Sequence, residues 1–194
     1  ANSIRVPELR KFPPSRVAAV PGGRADVRLF SPAWANPAVD GKHVAYWITH
    51  PAELEQRYQQ HPDRIGLDTE FIRERTYWPQ LALVQIALDA DDDAILLVDP
   101  LAEGMPDALA ELLADTRILK VMHSPSEDLV AFQHTCGALP APLFDTQLAA
   151  GYLNLGFSMG YSRLVQALLD IELPKGETRS DWLQRPLSEL QVRY

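Results

Sequence analysis

The stretch Ile65–Phe71 reads IGLDTEF. Most of it is built for the inside of a sheet, yet Asp68 and Glu70 sit in its middle. Side chains alternate between faces along a strand, so these two carboxylates share a face and repel each other. A chain tolerates such a pair in one of two ways. Either both acids reach water at a strand end, or a proton or cation sits between them. The stretch alone leaves both open, and a second acid cluster has to decide.

Around this stretch the pattern is α/β. LALVQIAL (Leu81–Leu88) and AILLV (Ala94–Val98) are further short apolar runs bounded by turn residues, as in buried strands. Helices are predicted over Pro51–Gln60 and over Pro106–Ala114, the latter with proline in its first turn, and a strand over Ile118–Met122. Three or four helices close the chain. Strands that first meander and then alternate with helices predict a mixed sheet flanked by helices on both faces. DADDD (Asp89–Asp93) reads as a solvated hairpin turn between two strands. Residues 1–44 hold Pro7, Pro13, Pro14, Pro21, Pro32 and Pro37 with little periodicity. They read as an N-terminal extension that wraps the domain or is partly disordered, and the compact domain runs over 45–194.

A chain of 194 residues, 46% hydrophobic and 23% charged, is enough for one domain with its own core. It has no apolar run of eighteen residues to span a membrane, and its N-terminus lacks the apolar core of a signal peptide. Cys136 is the only cysteine, which rules out an internal disulfide and points to a reducing cytoplasm. A net charge of −8 argues against broad nonspecific nucleic-acid binding. It is compatible with a local grip on a strand by a protein whose clustered acids hold metal. P-loop, G-x-G-x-x-G, H-E-x-x-H and G-x-S-x-G motifs are absent, and the five histidines are too scattered for a zinc site.

The second cluster is MHSPSEDLVAF (Met122–Phe132). Ser124 is expected as N-cap, Pro125 as first helical residue, and Glu127 as the far member of an S-x-x-E capping box. Asp128 is left without a structural task. It sits in the first helical turn, where the helix dipole favours the carboxylate anion. Leu129, Phe132 and Cys136 form the stripe that docks this helix on the sheet and places Asp128 at its margin. Asp145 reads as the N-cap of a helix over Thr146–Leu153. Near the end, Ser188 and Gln191 form another capping box, with Leu187 and Val192 as its hydrophobic staple and Tyr194 in the second turn.

In their order and intervals these stretches resemble the ribonuclease D branch of the DEDD 3′–5′ exonucleases. LDTEFIRERTYWPQLALVQIA (Leu67–Ala87) is similar to that family's first motif, HSPSEDLVAF to its second, and LFDTQLAAGYL (Leu143–Leu153) to the segment after it. LPKGETRSDWLQRPLSELQVRY (Leu173–Tyr194) resembles the lead-in to the third. The resemblance runs from about Ala45 to Tyr194. It implies a ribonuclease H-like fold and a metal-dependent exoribonuclease that trims RNA 3′ ends, in the manner of tRNA-precursor processing. It also implies that Asp68, Glu70 and Asp128 are metal ligands, for two Mg²⁺ or Mn²⁺ ions in a complete chain, and that Tyr194 orients the attacking water. The family's fourth acid follows that tyrosine by four residues. The chain as given stops before it, so impaired catalysis is expected of this stretch alone.

Divalent ions with oxygen ligands would relieve the repulsion between Asp68 and Glu70. The expected partner is RNA with a free 3′ end, with neither membrane nor obligate protein partner. Lys120, Lys175, Arg73, Arg75 and Arg179 are candidates to reach a substrate phosphate, with surface solvation the default for each and Lys175 holding the best claim. Phe71 and Tyr77 are candidates to stack on a terminal base, with Phe71 equally suited to the core. His123 has two readings of equal weight, a substrate contact or a strand cap. The alternatives are a DNA exonuclease of the same superfamily and a non-catalytic RNA-binding or scaffold domain.

Overall fold

The computed structural model describes residues 38–39, 43–59, 62–88, 94–173 and 180–192. Two short strands, β1 (Ala38–Val39) and β2 (His43–Ile48), lead into helix α1 (Pro51–Tyr58). Then come β3 (Arg64–Ile72), β4 (Gln80–Ala87) and β5 (Ala94–Val98). Helix α2 (Met105–Ala114) is followed by β6 (Leu119–Met122), helix α3 (Ser126–Cys136) and β7 (Leu143–Asp145). Helices α4 (Thr146–Tyr152), α5 (Tyr161–Leu169) and α6 (Glu189–Val192) close the described chain. The predicted strands and helices are all present, each within a few residues of its expected ends. Asp89–Asp93 lies outside the described residues.

The strands form one seven-stranded sheet in the order β1-β2-β5-β4-β3-β6-β7. The β3–β4–β5 meander is antiparallel, and β2, β6 and β7 join it by parallel pairing. Sequence patterning missed β1, β2 and β7. The first and last are too short to show a period, and β2 mixes aromatic with small residues.

Strand alternation sorts the core into two layers. Ile65 and Leu67 of β3 pack on one face with Val84 and Ile86 of β4, under Leu54 of α1, Leu109 and Leu112 of α2 and Phe132 of α3. On the other face Ala82, Leu83 and Leu97 are covered by Trp182, which is 3% exposed, with Leu183, Leu187 and Val192 around it. The chain's last described segment is therefore the second cover of the sheet, as the two-sided expectation required.

That cover is locked at a bulge. Glu70 pairs with Leu83 but Phe71 pairs with Leu81, so Ala82 has no partner on β3. A bulge leaves a backbone group without its ladder bond. Arg185 supplies the partner, donating from Nη2 to the Ala82 carbonyl at 2.6 Å. Its remaining donors reach both carboxylate oxygens of Asp99 at 2.6 and 2.8 Å and the carbonyls of Trp182 and Gln184. Every guanidinium N–H is thus used. The predicted capping box at the start of α6 is present as well: Ser188 N–H donates to Gln191 Oε1, and Gln191 N–H to Ser188 Oγ.

Asp99 is 7% exposed, so removing its carboxylate strands the Arg185 charge in a partly dry site. Asp99→Ala should lower stability by about 3 kcal/mol, measured as the shift in urea unfolding free energy. A loss within about 0.5 kcal/mol, the range of an ordinary surface change, would show that the pair does not hold the cover.

Candidate metal centre

β3 presents Asp68 and Glu70 on the face that carries Leu83, since Glu70 and Leu83 are direct cross-strand partners. Thr69 points to the opposite face with Val84, and it is buried there. α3 packs on that same face through Ala131 and Phe132. At its first turn Asp128 Oδ1 accepts a hydrogen bond of 2.5 Å from Thr69 Oγ1. The three acids thus reach one margin of β3 from two sides of the sheet.

Asp68 feels the charge of Asp128 there, and Glu70 that of both. Asp68 keeps an open side to water, yet protein atoms crowd it. Desolvation first, and then the charge of Asp128, push its pKa up to about 6. Glu70 is half-buried, and desolvation, Asp68 and Asp128 together push it up to about 8. Asp128 is also raised, mainly by burial, against the pull of the Thr69 hydroxyl and its own backbone N–H. Burial and like charge disfavour the anions at this margin, and a cation would reverse both. The donor chemistry fits a hard divalent ion, which takes carboxylate oxygen. Among the described residues, no three His, Cys, Asp or Glu side chains are gathered tightly enough to hold a metal ion as they stand. Like charges keep bare carboxylates apart, and Asp128 is turned to Thr69.

The other expected site residues divide. Lys175 and Tyr194 lie outside the described residues, as does Arg179. Phe71 packs partly buried against the main core. Tyr77 is 75% exposed on the β3–β4 connection. His123 Nδ1 stands 2.8 Å from Thr146 Oγ1, whose own hydrogen goes to the Met122 carbonyl. Nδ1 therefore carries the ring hydrogen. Nε2 is buried with no hydrogen-bond partner among the described residues.

Three expectations need correction. Ser124 is not an N-cap: its φ is +53° and the helix starts at Ser126 without a side-chain cap. The Asp145 carboxylate, capping α4 through Gln147 N–H as predicted, also takes the Ser124 N–H and draws it out of capping position. Glu127 accordingly closes no capping box and instead pairs with Arg73 at 2.8 Å. Lys120 is unavailable to phosphate. It is fully buried, with Nζ donating to the carbonyls of Asp115 and Ala141, so it ties the end of α2 to the loop before β7. Thr69 is the site residue that sequence reasoning missed. The signal was present in its place between two acids, which turns it to the helix side.

Comparison with known proteins agrees with the fold. The 3′–5′ exonuclease family matches residues 45–194. Ribonuclease D of Xanthomonas oryzae pv. oryzae is 61% identical over 152 residues, which is 78% of this chain and 41% of that protein. The crystal structure of Escherichia coli RNase D, an exoribonuclease involved in structured RNA processing, superposes with a TM-score of 0.70 at 39% identity. The match covers 77% of this chain and 40% of that one. Brucella melitensis NrnC is 25% identical over 77% of this chain and 70% of its own. It has been solved bound to pGG and with bound Mg²⁺, with TM-scores of 0.61 and 0.59. The chain spans about two fifths of the length of the ribonucleases D it matches.

The raised pKa of Glu70 fixes a pH dependence. Its folded value lies above its ordinary one, so between about pH 4.5 and pH 8 the folded state binds more protons than the unfolded state. Metal-free protein should lose stability as pH rises through that window and level off above it. Glu70→Gln should flatten much of the decline and be the more stable chain at pH 8. Urea midpoints taken from pH 4.5 to 9 would test this, and superimposable curves for the two proteins would remove the electrostatic coupling.

Proposed function

We propose, from the premise that this chain belongs to the 3′–5′ exonuclease family and is similar to the ribonucleases D, that it is the catalytic domain of a metal-dependent 3′–5′ exoribonuclease. The observation that carries the reading is the placement of Asp68, Glu70 and Asp128 at one margin of the sheet, where burial raises all three and like charge adds to Asp68 and Glu70. Acids in this state are poised to exchange protons for cations. RNA is the substrate favoured by the similarity to ribonucleases D, and nothing in the site favours DNA or a purely structural role.

In this reading Asp68, Glu70 and Asp128 are the metal ligands, and Mg²⁺, seen with NrnC, is the first candidate, with Mn²⁺ beside it. Bound ions supply the Lewis acidity that activates water and stabilises the leaving oxygen in phosphodiester hydrolysis. Thr69 orients the Asp128 carboxylate through its hydroxyl. Arg73, tied to Glu127, fixes the chain leaving β3 beside the first turn of α3. The Arg185 lock seats α6 on the face that bears Glu70. Tyr194 then orients the attacking water, and Lys175, Phe71 and His123 attend the substrate. With Cys136 as its one cysteine, the protein suits the reducing cytoplasm.

The test is a degradation assay on 3′-end-defined RNA and DNA, using the full-length protein with Mg²⁺, Mn²⁺ or chelator. Stepwise shortening of RNA from its 3′ end, lost with chelator, is expected. Asp68→Ala and Asp128→Asn should each reduce it by at least about a hundredfold, the scale of losing a group that stabilises the transition state. The far-ultraviolet circular dichroism should be unchanged. Near-normal turnover in either variant at saturating metal would overturn the assignment.

A further inference from the structure

The β3–β4 connection carries two large aromatic side chains that the fold does not bury. Tyr77 is 75% exposed and Trp78 47%. They are nevertheless ordered by each other. The Tyr77 ring meets Trp78 edge-on with centroids 4.5 Å apart, and Trp78 lies nearly parallel on His134 of α3 at 3.8 Å. The connection is held at both ends: Arg73 bonds Glu127 in the first turn of α3, and Pro79 is buried where β4 begins. Arg75, two residues before Tyr77, is exposed and adopts a left-handed backbone with φ of +59°. A loop that only joined two strands would have no use for this set. Exposing rigid aromatic faces forgoes the burial that normally offsets ordering them.

The place of the set gives it meaning. His134 is six residues beyond Asp128 on the same helix, about 9 Å along the axis at the α-helical rise. The connection runs alongside that helix from Glu127, the neighbour of Asp128, to His134. A strand whose terminal phosphodiester lies at the acids has its preceding nucleotides within reach of these rings. Every base has a π face, so stacking on aromatic side chains grips single strands with little regard to sequence.

We propose that Tyr77 and Trp78, backed by His134, form a stacking platform for bases upstream of the 3′-terminal nucleotide of a single-stranded RNA, with Arg75 meeting its phosphates. This rests on the exoribonuclease reading for its substrate. It differs from a terminal-base contact in its prediction about length: the platform engages an oligonucleotide and not a mononucleotide.

The experiment titrates the full-length protein, in chelator so that RNA stays intact, with the octamer of riboadenylate and separately with AMP. The octamer should quench tryptophan emission, and Trp78→Phe should abolish the quench. Tyr77→Ala should weaken octamer affinity about tenfold, in the range of one lost stacking contact, and Tyr77→Phe should restore it, while AMP affinity moves less than twofold. Arg75→Ala should make the log–log salt dependence of octamer binding shallower by about 0.7, the value for one phosphate of a single strand. Unchanged octamer affinity in Tyr77→Ala would overturn the platform, as would equal losses for AMP and octamer or an octamer that does not bind. The metal-dependent cleavage assay separates the two readings. Octamer binding through Tyr77 without cleavage refutes the nuclease and keeps the platform, and cleavage indifferent to Tyr77→Ala refutes the platform alone.

Discussion

The two-residue period of β3 is the constraint on which the rest of the molecule depends. One strand must build a core and hold a charged site, and it does so by giving each a face. Ile65, Leu67 and Thr69 face α3, and all three are buried. Asp68 and Glu70 face the other way, toward the layer completed by Trp182, Leu187 and Val192. A register slip of one residue would exchange the two sets, so β3 has to be pinned. The bulge at Ala82 falls across from the Glu70–Phe71 step, and Arg185 occupies the carbonyl that the bulge leaves open. The side chain that fixes the covering segment therefore also marks the register of the strand beside the acids.

The electrostatics follow from that division. Two carboxylates on one face and a third from the far side of the sheet share a margin too crowded for full hydration, and their pKa values rise together. The fold gives up stability there, as functional sites commonly do. The Thr69 hydroxyl and the first turn of α3 moderate the cost for Asp128, and the Thr69 backbone N–H moderates it for Asp68. Nothing comparable offsets it for Glu70, which carries the largest elevation of the three.

Much of this was legible in the sequence because the relevant periods are short and local. IGLDTEF gave β3 and its paired acids, the runs at Leu81 and Ala94 gave the meander, and the Ser188–Gln191 box is present as read. What escaped was tertiary. Ser124 looks like an N-cap until Asp145, distant in sequence, takes its N–H. Glu127 looks like the far half of a capping box until Arg73 arrives from the β3–β4 connection. Lys120 looks like a surface cation, yet its ammonium is held between two backbone carbonyls that only the folded chain brings together. Likewise, Arg185 carries no local signal, since its partners lie some hundred residues away on β4 and at the end of β5.

If these three acids hold one cation, its binding must displace the protons that the crowded carboxylates carry. At pH 7 a group titrating near 8 is mostly protonated and one titrating near 6 mostly is not. Binding of Mn²⁺ should therefore expel about one proton per molecule at pH 7. Calorimetry in buffers of different ionisation enthalpy reads that number. The release should fade toward zero above about pH 9 and be lost in Glu70→Gln. Metal binding at pH 7 with no proton release, or with the same release in Glu70→Gln, would contradict a shared cation site.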